Sequence, residues 1–328
     1  MDLEKIIAIS LIKNLKIKEE DELENIQVDK EKLEKARKII KECNNKGVNI
    51  LTRFDKDYPN EFRNIFNSPL VVYYKGNLEL LKNRKVGIIG TRKPTKYGKD
   101  VAFEFSRALS KEKISIVSGG ARGIDTVAHV AALEAEGSTI CVLGSGLDVF
   151  YPPENTKVFK EIEKRGILIS EYPPETKPFS YNFPMRNRLI AALSEVIIIV
   201  EAGEKSGTFI TVKWALEMGK DIFAVPGEIF SPKSKGPHFL IKQGAHLATD
   251  PSDILEHLGI KHKPSDEKIK LEPEEEEIFN YLKEKGKTHI DEIRENLKID
   301  TADLISLLIN LEIKGIIRNH GGGFYSIK

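Results

Sequence analysis

Four short segments of the chain combine glycine with arginine, lysine or hydroxyl side chains, which is the chemistry of a phosphate-binding loop. Glycine lets backbone N–H groups approach an anion closely, and a helix that starts directly afterwards adds a favourable dipole. The candidate phosphate-binding residues are Gly90, Thr91, Arg92, Lys93, Lys96, Ser118, Gly119, Gly120, Arg122, Gly123, Arg186, Asn187, Arg188, Lys205, Ser206, Gly207 and Thr208. Any one segment could be a tight turn alone, but the four together predict a site for a polyanion or a nucleotide.

Six short aliphatic runs position these segments, and each run is followed by a helical pattern. The runs are Lys85–Gly90, Ile114–Gly119, Thr139–Gly144, Ile167–Glu171, Val196–Glu201 and Asp221–Pro226. Near-continuous hydrophobicity indicates strands that are buried on both faces, and alternation with helices requires parallel pairing. We therefore predict an α/β fold with a doubly wound parallel sheet. Its binding crevice should lie at the carboxyl ends of the strands.

Known cofactor motifs do not fit these loops. Gly90 and Gly98 are too far apart for a P-loop, and Asp100 stands where that motif has Ser or Thr. The segment Gly144-Ser145-Gly146 begins like a dinucleotide-binding motif but lacks the third glycine. We therefore expect no cofactor, and no cysteine or histidine has the spacing of a metal motif.

The order and spacing of the motifs resemble the DprA/Smf family of DNA-processing proteins from about Gly47 to Asp253. The matching segments are Asp57-Tyr-Pro59, Tyr74-Lys-Gly76, Gly90-Thr-Arg92, Tyr97-Gly98, Ser118-Gly-Gly-Ala-Arg-Gly-Ile-Asp125, Ala128-His129, Tyr151-Pro152, Ser170-Glu-Tyr-Pro173, Phe183-Pro-Met-Arg-Asn-Arg188, Ser206-Gly-Thr208, Ile210-Thr211 and Val225-Pro-Gly227. The resemblance implies an extended Rossmann-like fold that binds single-stranded DNA and forms a homodimer. It also implies a role in natural transformation, in which the protein helps to load a RecA-type recombinase on incoming DNA.

The chain departs from the family pattern at two places. Where the family usually has Gly-x-Asn, this chain has Gly236-Pro237-His238, so we expect an asparagine contact to be lost. The N-terminal helical piece is short for the family's helix-hairpin-helix region and has no glycine hairpin. We therefore expect no second DNA contact from that end.

A single-strand binder without sequence preference combines a cationic groove for phosphates with platforms for bases. The net charge is only +1, and residues 84–260 contain 23 Lys and Arg against 21 Asp and Glu. The placement of charge, rather than its excess, must therefore create the groove. Tyr97, Phe183 and Tyr181 are the nearest candidates for base stacking. We expect the strand-end carboxylates of Glu171 and Glu201 to hold nearby arginines by ion pairs.

Four segments are expected along the chain. They are a helical N-terminal segment (1–46), the DNA-binding domain (47–260), a polar and proline-containing linker (261–275) and a winged-helix domain (276–328). The last segment shows three helical patterns, Glu274–Glu284, His289–Leu297 and Ala302–Lys314, followed by a hairpin turned by glycines.

The winged-helix domain has the wrong charge for reading DNA. Residues 271–328 contain 8 Lys and Arg against 12 Asp and Glu. The expected recognition helix presents Thr301, Asp303, Ser306, Asn310 and Glu312 outward, where a DNA reader needs Arg or Lys. We therefore interpret this domain as a contact site for a protein partner or a regulatory module.

Two other functional classes stay open from the sequence. A nucleotide phosphoribohydrolase has a related fold with a Pro-Gly-Gly-x-Gly-Thr-x-x-Glu motif, whose counterpart here is Glu201 to Thr211. Thr211 stands where the catalytic glutamate should be, so we expect no enzyme activity. The other class is a recombination mediator that binds proteins and not DNA.

The sequence also favours a cytoplasmic location. The N-terminus has no basic leader region, and the longest aliphatic run, Val196–Val200, is far too short to span a bilayer. Cys43 and Cys141 lie far apart in the sequence and are interpreted as reduced thiols.

Overall fold

The computed structural model describes residues 2–12, 25–260 and 271–327 of the chain. The chain divides into two compact units, Met1–Ile260 and Lys261–Lys328. Of the expected linker, residues 261–270 lie outside the described residues, and a helix already begins at Pro273. Within the described ranges, no helix is long and apolar enough to cross a bilayer.

The first unit is built on a nine-stranded sheet. Its strands are β1 Asn49–Thr52, β2 Val71–Gly76, β3 Lys85–Ile89, β4 Ser115–Ser118, β5 Thr139–Leu143, β6 Ile167–Ser170, β7 Val196–Ile199, β8 Asp221–Ala224 and β9 His246–Leu247. Their order across the sheet is β1-β2-β6-β5-β4-β3-β7-β8-β9. In this order, the strands β6, β5, β4, β3, β7, β8 and β9 are mutually parallel, whereas β1 and β2 add an antiparallel extension beside β6. The predicted doubly wound α/β fold is therefore confirmed, and all six predicted strands are present as β3 to β8.

Helices cover both faces of this sheet. They are α1 Leu3–Ser10, α2 Lys30–Lys46, α3 Asn60–Arg63, α4 Lys96–Lys111, α5 Ile124–Glu134, α6 Thr156–Arg165, α7 Asn182–Leu193, α8 Thr208–Glu217, α9 Lys235–Lys242 and α10 Pro251–His257. Helices α4, α5 and α10 bury aliphatic residues against one face, and α7, α8 and α9 do so against the other. Burial on both faces explains why the central strands consist of Val and Ile in unbroken runs.

The N-terminal helices belong to the same compact unit. Helix α1 buries Ile6, Ile7 and Ile9 in a cluster that also contains residues of β2. Helix α2 begins after Asp29, whose side chain accepts a hydrogen bond from the Lys32 N–H, and ends at Gly47 in a left-handed conformation. The segment between them, residues 13–24, lies outside the described residues.

The second unit has the predicted winged-helix outline. Helices α11 (Pro273–Lys285), α12 (Ile290–Leu297) and α13 (Thr301–Ile313) surround a small aliphatic core, and β11 (Ile317–Asn319) and β12 (Phe324–Ile327) form the wing. A short strand that the sequence did not indicate, β10 (Thr288–His289), pairs with β12. The side chains expected to face outward on α13 are all exposed. That helix also exposes three isoleucines at helical spacing, Ile305, Ile309 and Ile313.

A buried histidine lies between α5 and the sheet. His129 is fully buried, and its Nδ1 lies 2.7 Å from the hydroxyl oxygen of Thr139. Because that hydroxyl donates its own proton to the Ile116 carbonyl, Nδ1 must carry the hydrogen and act as the donor. Nε2 has no hydrogen-bond partner among the residues that the structure describes, and burial lowers the pKa of His129 to about 3. The native fold therefore requires a neutral imidazole.

Acidification should destabilise the first unit through His129. The unfolded chain binds a proton near the usual histidine pKa of about 6.5, whereas the native state stays neutral until about pH 3. The free energy of unfolding should therefore fall by up to about 1.4 kcal/mol per pH unit as the pH drops through this window. Denaturant unfolding of the parent and of His129→Asn between pH 7 and 4 measures this, because asparagine can still donate to Thr139 but does not titrate. His320→Asn is the control and should keep the parental slope; an unchanged slope in His129→Asn would refute the assignment.

Candidate nucleic-acid interface

A cleft opens at the point where the strand order reverses. Strand β3 pairs with β4 on one side and with β7 on the other, because the chain builds one half of the sheet from β3 to β6 and then crosses back to start the other half with β7. A cavity of about 910 Å³ lies beyond the carboxyl ends of these strands. The predicted site residues that line it are Gly90, Thr91, Arg92, Lys93, Arg186, Asn187, Ser206, Gly207 and Thr208. These predicted residues come from three of the four loops, and the fourth loop contributes Ala121 and Asp125, which were not among the predicted residues.

Main-chain hydrogen bonds join the loops that frame this cleft. The Thr91 N–H donates to the carbonyl of Glu201 (2.7 Å), and the Ile124 N–H donates to the carbonyl of Thr91 (3.2 Å). Gly123 is required beside them, because its φ is +82° and a Cβ there would lie 2.4 Å from the Thr91 carbonyl oxygen. The loop after β3 is thus held on one side by the loop after β7 and on the other by the start of α5.

The carboxylate of Glu201 fixes the far end of the same loop. It is buried and accepts hydrogen bonds from the Thr95 N–H (2.9 Å) and from the Thr95 hydroxyl. The Thr95 oxygen in turn accepts from the Gly98 N–H and caps α4. The expectation that Glu201 holds an arginine is therefore wrong, because the orphan groups at a helix start occupy it. The corresponding expectation for Glu171 is confirmed, since Glu171 forms an ion pair with Arg188.

The glycine turn after β4 serves the scaffold rather than the cleft. The buried Asp125 carboxylate accepts from the N–H groups of Gly119 (3.1 Å) and Ala121 (3.4 Å), so these amides are already used. The Ser118 hydroxyl donates to the Ile88 carbonyl, and Gly120 is buried. Burial also raises the pKa of Asp125. Sequence spacing predicted phosphate contacts for Ser118, Gly119 and Gly120, but their polar groups face inward.

Five of the seven predicted basic side chains separate into a buried and an exposed group outside the centre of the cleft. Arg186 is buried and donates to the carbonyls of Gly119 and Val142, which ties the ends of β4 and β5 to α7. Arg188 is also buried and faces a different cavity, lined in part by Glu171. Neither guanidinium is presented to solvent as the sequence suggested. Arg122, Lys96 and Lys205 are exposed. Arg122 lines a small pocket next to the cleft with Arg92 and Phe183, whereas Lys96 and Lys205 are not among the described residues that line either cavity.

Arg92 is the exposed guanidinium of the cleft. Among the described residues it forms no ion pair, whereas Arg122 is paired with Glu154 at 2.5 Å. Its guanidinium carbon lies 6.0 Å from the centroid of the Phe183 ring. Beside it, the ammonium group of Lys233 donates to the Lys93 carbonyl and also lines the cleft. Lys233 was not identified from the sequence, although it follows β8 and the rule of reading strand ends would have found it.

The start of α8 completes the polar wall of the cleft. Ser206, Gly207 and Thr208 line it, and the hydroxyl oxygens of Ser206 and Thr208 lie 2.8 Å apart. A Cβ at Gly207 would meet nothing within 4 Å, so the backbone there is open to an incoming group. The N–H groups of Thr208, Phe209 and Ile210 already donate within this turn, so the helix dipole and the hydroxyl groups are what make this end of α8 attractive to an anion.

Aromatic rings surround the cationic centre. Phe183 lies in the cleft with Tyr151, at a centroid distance of 5.6 Å. Phe179 and Tyr181 stack on each other almost in parallel (5.4 Å, 5°), and both are exposed. Of the predicted stacking candidates, Tyr97 instead donates its hydroxyl proton to the Pro226 carbonyl and lines a different cavity. Tyr151 and Phe179 were missed, although each follows a strand end in an aromatic-rich loop.

The predicted departure at His238 has a structural counterpart. The Nε2 atom of His238 lies 3.1 Å from the Gly227 carbonyl oxygen. Gly236 is needed next to it, because a Cβ there would lie 2.5 Å from the Ala202 carbonyl oxygen. His238 thus holds the loop after β8.

Two family models match this chain. The model of DNA recombination-mediator protein A covers residues 49–259, and the model of the DprA winged helix domain covers residues 262–323. The DNA processing protein DprA of Bacillus subtilis is 44% identical over 225 residues, which are 68% of this chain and 76% of that protein. Protein Smf of Escherichia coli is 36% identical over 281 residues, or 83% and 75% of the two chains.

Solved structures show the same relationship. The X-ray structure of DprA from Streptococcus pneumoniae matches with a TM-score of 0.65 at 34% identity and covers 80% of this chain and 94% of that one. The structure of DNA processing protein A from Helicobacter pylori, described as revealing a unique single-stranded DNA binding mode, matches with a TM-score of 0.59 at 35% identity. It covers 64% of this chain and 95% of that chain. Motifs, fold and comparisons agree that this chain belongs to the DprA/Smf family of DNA-processing proteins.

Proposed function

We propose that this protein binds single-stranded DNA in the cleft at the switch point of the sheet and helps a RecA-type recombinase to assemble on that strand. It acts in the cytoplasm as a homodimer and as a binding protein, not as an enzyme. The observation that carries the proposal is the placement of Arg92. This exposed cation has no ion-pair partner in the described part of the chain, and it lines the same cavity as the Phe183 ring and the start of α8.

The cleft offers separate contacts for the two parts of a nucleotide. Arg92, Lys93 and Lys233 supply positive charge, and the start of α8 supplies hydroxyl groups and a favourable dipole for phosphate oxygens. Phe183 and Tyr151 offer ring faces on which an unpaired base can stack. A duplex keeps its bases stacked on each other, so it cannot use these rings. Single-stranded DNA is also what the Helicobacter pylori relative is described as binding.

The cleft is poorly equipped for hydrolysis. Asp125 is the one carboxylate among the described residues that line it, and that group is buried and accepts from two amides. Thr211 lines the cleft where the phosphoribohydrolase motif has its catalytic glutamate. A nucleoside monophosphate incubated with the protein should therefore release no free base. Measurable release of free base would favour the alternative hypothesis that the protein is a nucleotide phosphoribohydrolase.

The winged-helix unit supports contact with a protein partner. Its exposed recognition helix carries Asp303 and Glu312, and the stripe of Ile305, Ile309 and Ile313 adds apolar area. The two carboxylates repel phosphates, and the isoleucines offer phosphates no favourable contact. The surface of a protein partner can use both the charged and the apolar side chains. The recombinase contact is assigned to this unit. Nucleation of recombinase filaments on single strands, with and without this unit, tests that assignment.

Binding should be selective for single strands and should weaken with salt. Phosphate contacts release counterions, and the slope of log K against log salt is about −0.7 per neutralised phosphate on a single strand. Electrophoretic shifts with single-stranded and duplex oligonucleotides across a salt series measure both properties. Several sequences of equal length should bind alike. Equal affinity for duplex and single strand would contradict the proposal.

Arg92→Ala should weaken binding more than any other single change of a basic residue to alanine. A guanidinium can grip two phosphate oxygens, and losing one charge-assisted contact costs roughly 1.5–3 kcal/mol, about tenfold or more in affinity. Arg107→Ala is the matched control, because Arg107 lies on α4 near Glu104 and does not line the cleft. Melting curves should show that both variants remain folded. A folded Arg92→Ala protein that binds like the parent would disprove the site.

Removal of residues 265–328 should leave single-strand binding largely intact. The deleted part is acidic, and the cleft lies wholly in the first compact unit. Because the same phosphates are still contacted, the affinity and the salt slope should both stay near those of the full chain. The measurement is the same shift assay on the shortened protein. A large loss of affinity would assign a DNA contact to the winged helix.

A further inference from the structure

Three potential metal ligands meet at the edge of the sheet, and none of these three residues lines the cleft. Asp221 is the first residue of β8, His246 is the first residue of β9, and His257 is the last residue of α10. One ligand atom from each lies within 4.8 Å of the other two. The Asp221 carboxylate is central, with Oδ2 3.0 Å from Nε2 of His257 and Oδ1 3.7 Å from Nε2 of His246.

The fold holds these side chains in place through a buried ring. Parallel pairing of β8 and β9 sets Phe223 opposite His246, and the two rings stack at 4.8 Å. The edge of the His257 ring contacts the same phenylalanine at 5.1 Å. Helix α10 is fixed at its start by a capping box between Asp250 and Asp253. The two imidazoles are therefore oriented by packing on Phe223, which is 2% exposed.

The donor set selects a particular class of ion. Two imidazole nitrogens and one carboxylate oxygen suit Zn²⁺ and neighbouring divalent transition metals, whereas Mg²⁺ and Ca²⁺ prefer oxygen ligands alone. Zinc lies about 2.0–2.2 Å from such atoms, so ligands of a tetrahedral site are separated by roughly 3.3 Å. The two imidazole nitrogens lie 3.0 and 3.7 Å from different oxygens of Asp221, and one ligand atom of each residue lies within 4.8 Å of the other two, so the exposed side chains would have to move slightly closer together to hold the ion. We propose that Asp221, His246 and His257 bind one Zn²⁺-type ion and leave the fourth position to water or another external ligand.

Such an ion would connect the last two strands and the last helix of the first unit. Strand β9 is an edge strand of only two residues and pairs with β8 alone. A metal that binds β8, β9 and α10 at once favours the native state and not the unfolded chain. The simpler alternative is that Asp221 only accepts hydrogen bonds from the two imidazoles. The alternatives differ in one measurable property, which is a saturable response to added zinc.

The test uses the full chain, stripped of metal with a chelator, and zinc alone as the probe. Calorimetric titration should show one equivalent bound to the parent, and the melting temperature should rise with zinc but not with magnesium. When cobalt replaces zinc, its visible absorption should be that of an ion with a low coordination number. Failure of the parent to bind zinc saturably would overturn the proposal without bearing on DNA binding.

Variants identify the ligands. Asp221→Asn, His246→Ala and His257→Ala should each weaken zinc binding at least 10- to 100-fold, the range seen even for residues that only support a ligand. His320→Ala, in the winged-helix unit, should bind like the parent. Melting curves in chelator show whether each variant is folded. If an alanine variant does not fold, Asp221→Asn still tests the site, because asparagine keeps the shape of the aspartate side chain. Parental affinity in a folded Asp221→Asn variant, or loss of binding in His320→Ala, would show that the ion binds elsewhere.

Discussion

Glu201 is the residue on which the candidate site depends, because it anchors both ends of one loop. Its carbonyl accepts the Thr91 N–H, and its carboxylate accepts the N–H and the hydroxyl of Thr95. Between these two anchors the chain presents Arg92 and Lys93 to the cleft. A hydrogen bond to a charged group contributes about 1.5–3 kcal/mol, and a buried carboxylate has no alternative partner in water. One acidic side chain thus positions the basic side chains of the cleft, although it touches neither of them through an ion pair.

The strands and the location of the crevice could be predicted from sequence, because both follow from patterns that repeat along the chain. Unbroken runs such as Val196–Ile199 require burial on both faces, and parallel strands bring their carboxyl ends to one edge. The two edge strands of this sheet, β1 and β9, have no such pattern. Strand β9 has only two residues, and its pairing with β8 depends on a contact across the fold.

Which loop residues face the cleft and which support the fold could not be predicted. Arg92 and Arg186 both follow the pattern of a basic residue beside a crevice, yet one is exposed and the other donates to two buried carbonyls. The glycine turn after β4 has the composition of a phosphate cradle, but Asp125, six residues beyond Gly119, takes its amides. Local sequence specifies that polar groups are present. Only the packed fold determines whether protein or solvent satisfies them.

The anchoring of the Arg92 loop has a consequence for how the free energy of binding is distributed. The loop is already fixed through Thr91 and Thr95 before any ligand arrives, so its backbone has little conformational freedom left to lose. Under the proposed function, the ordering cost of the complex then falls on the nucleic acid, whose sugar–phosphate chain is flexible. Stiffness of the bound strand, more than its base sequence, becomes the property to which such a rigid receptor responds.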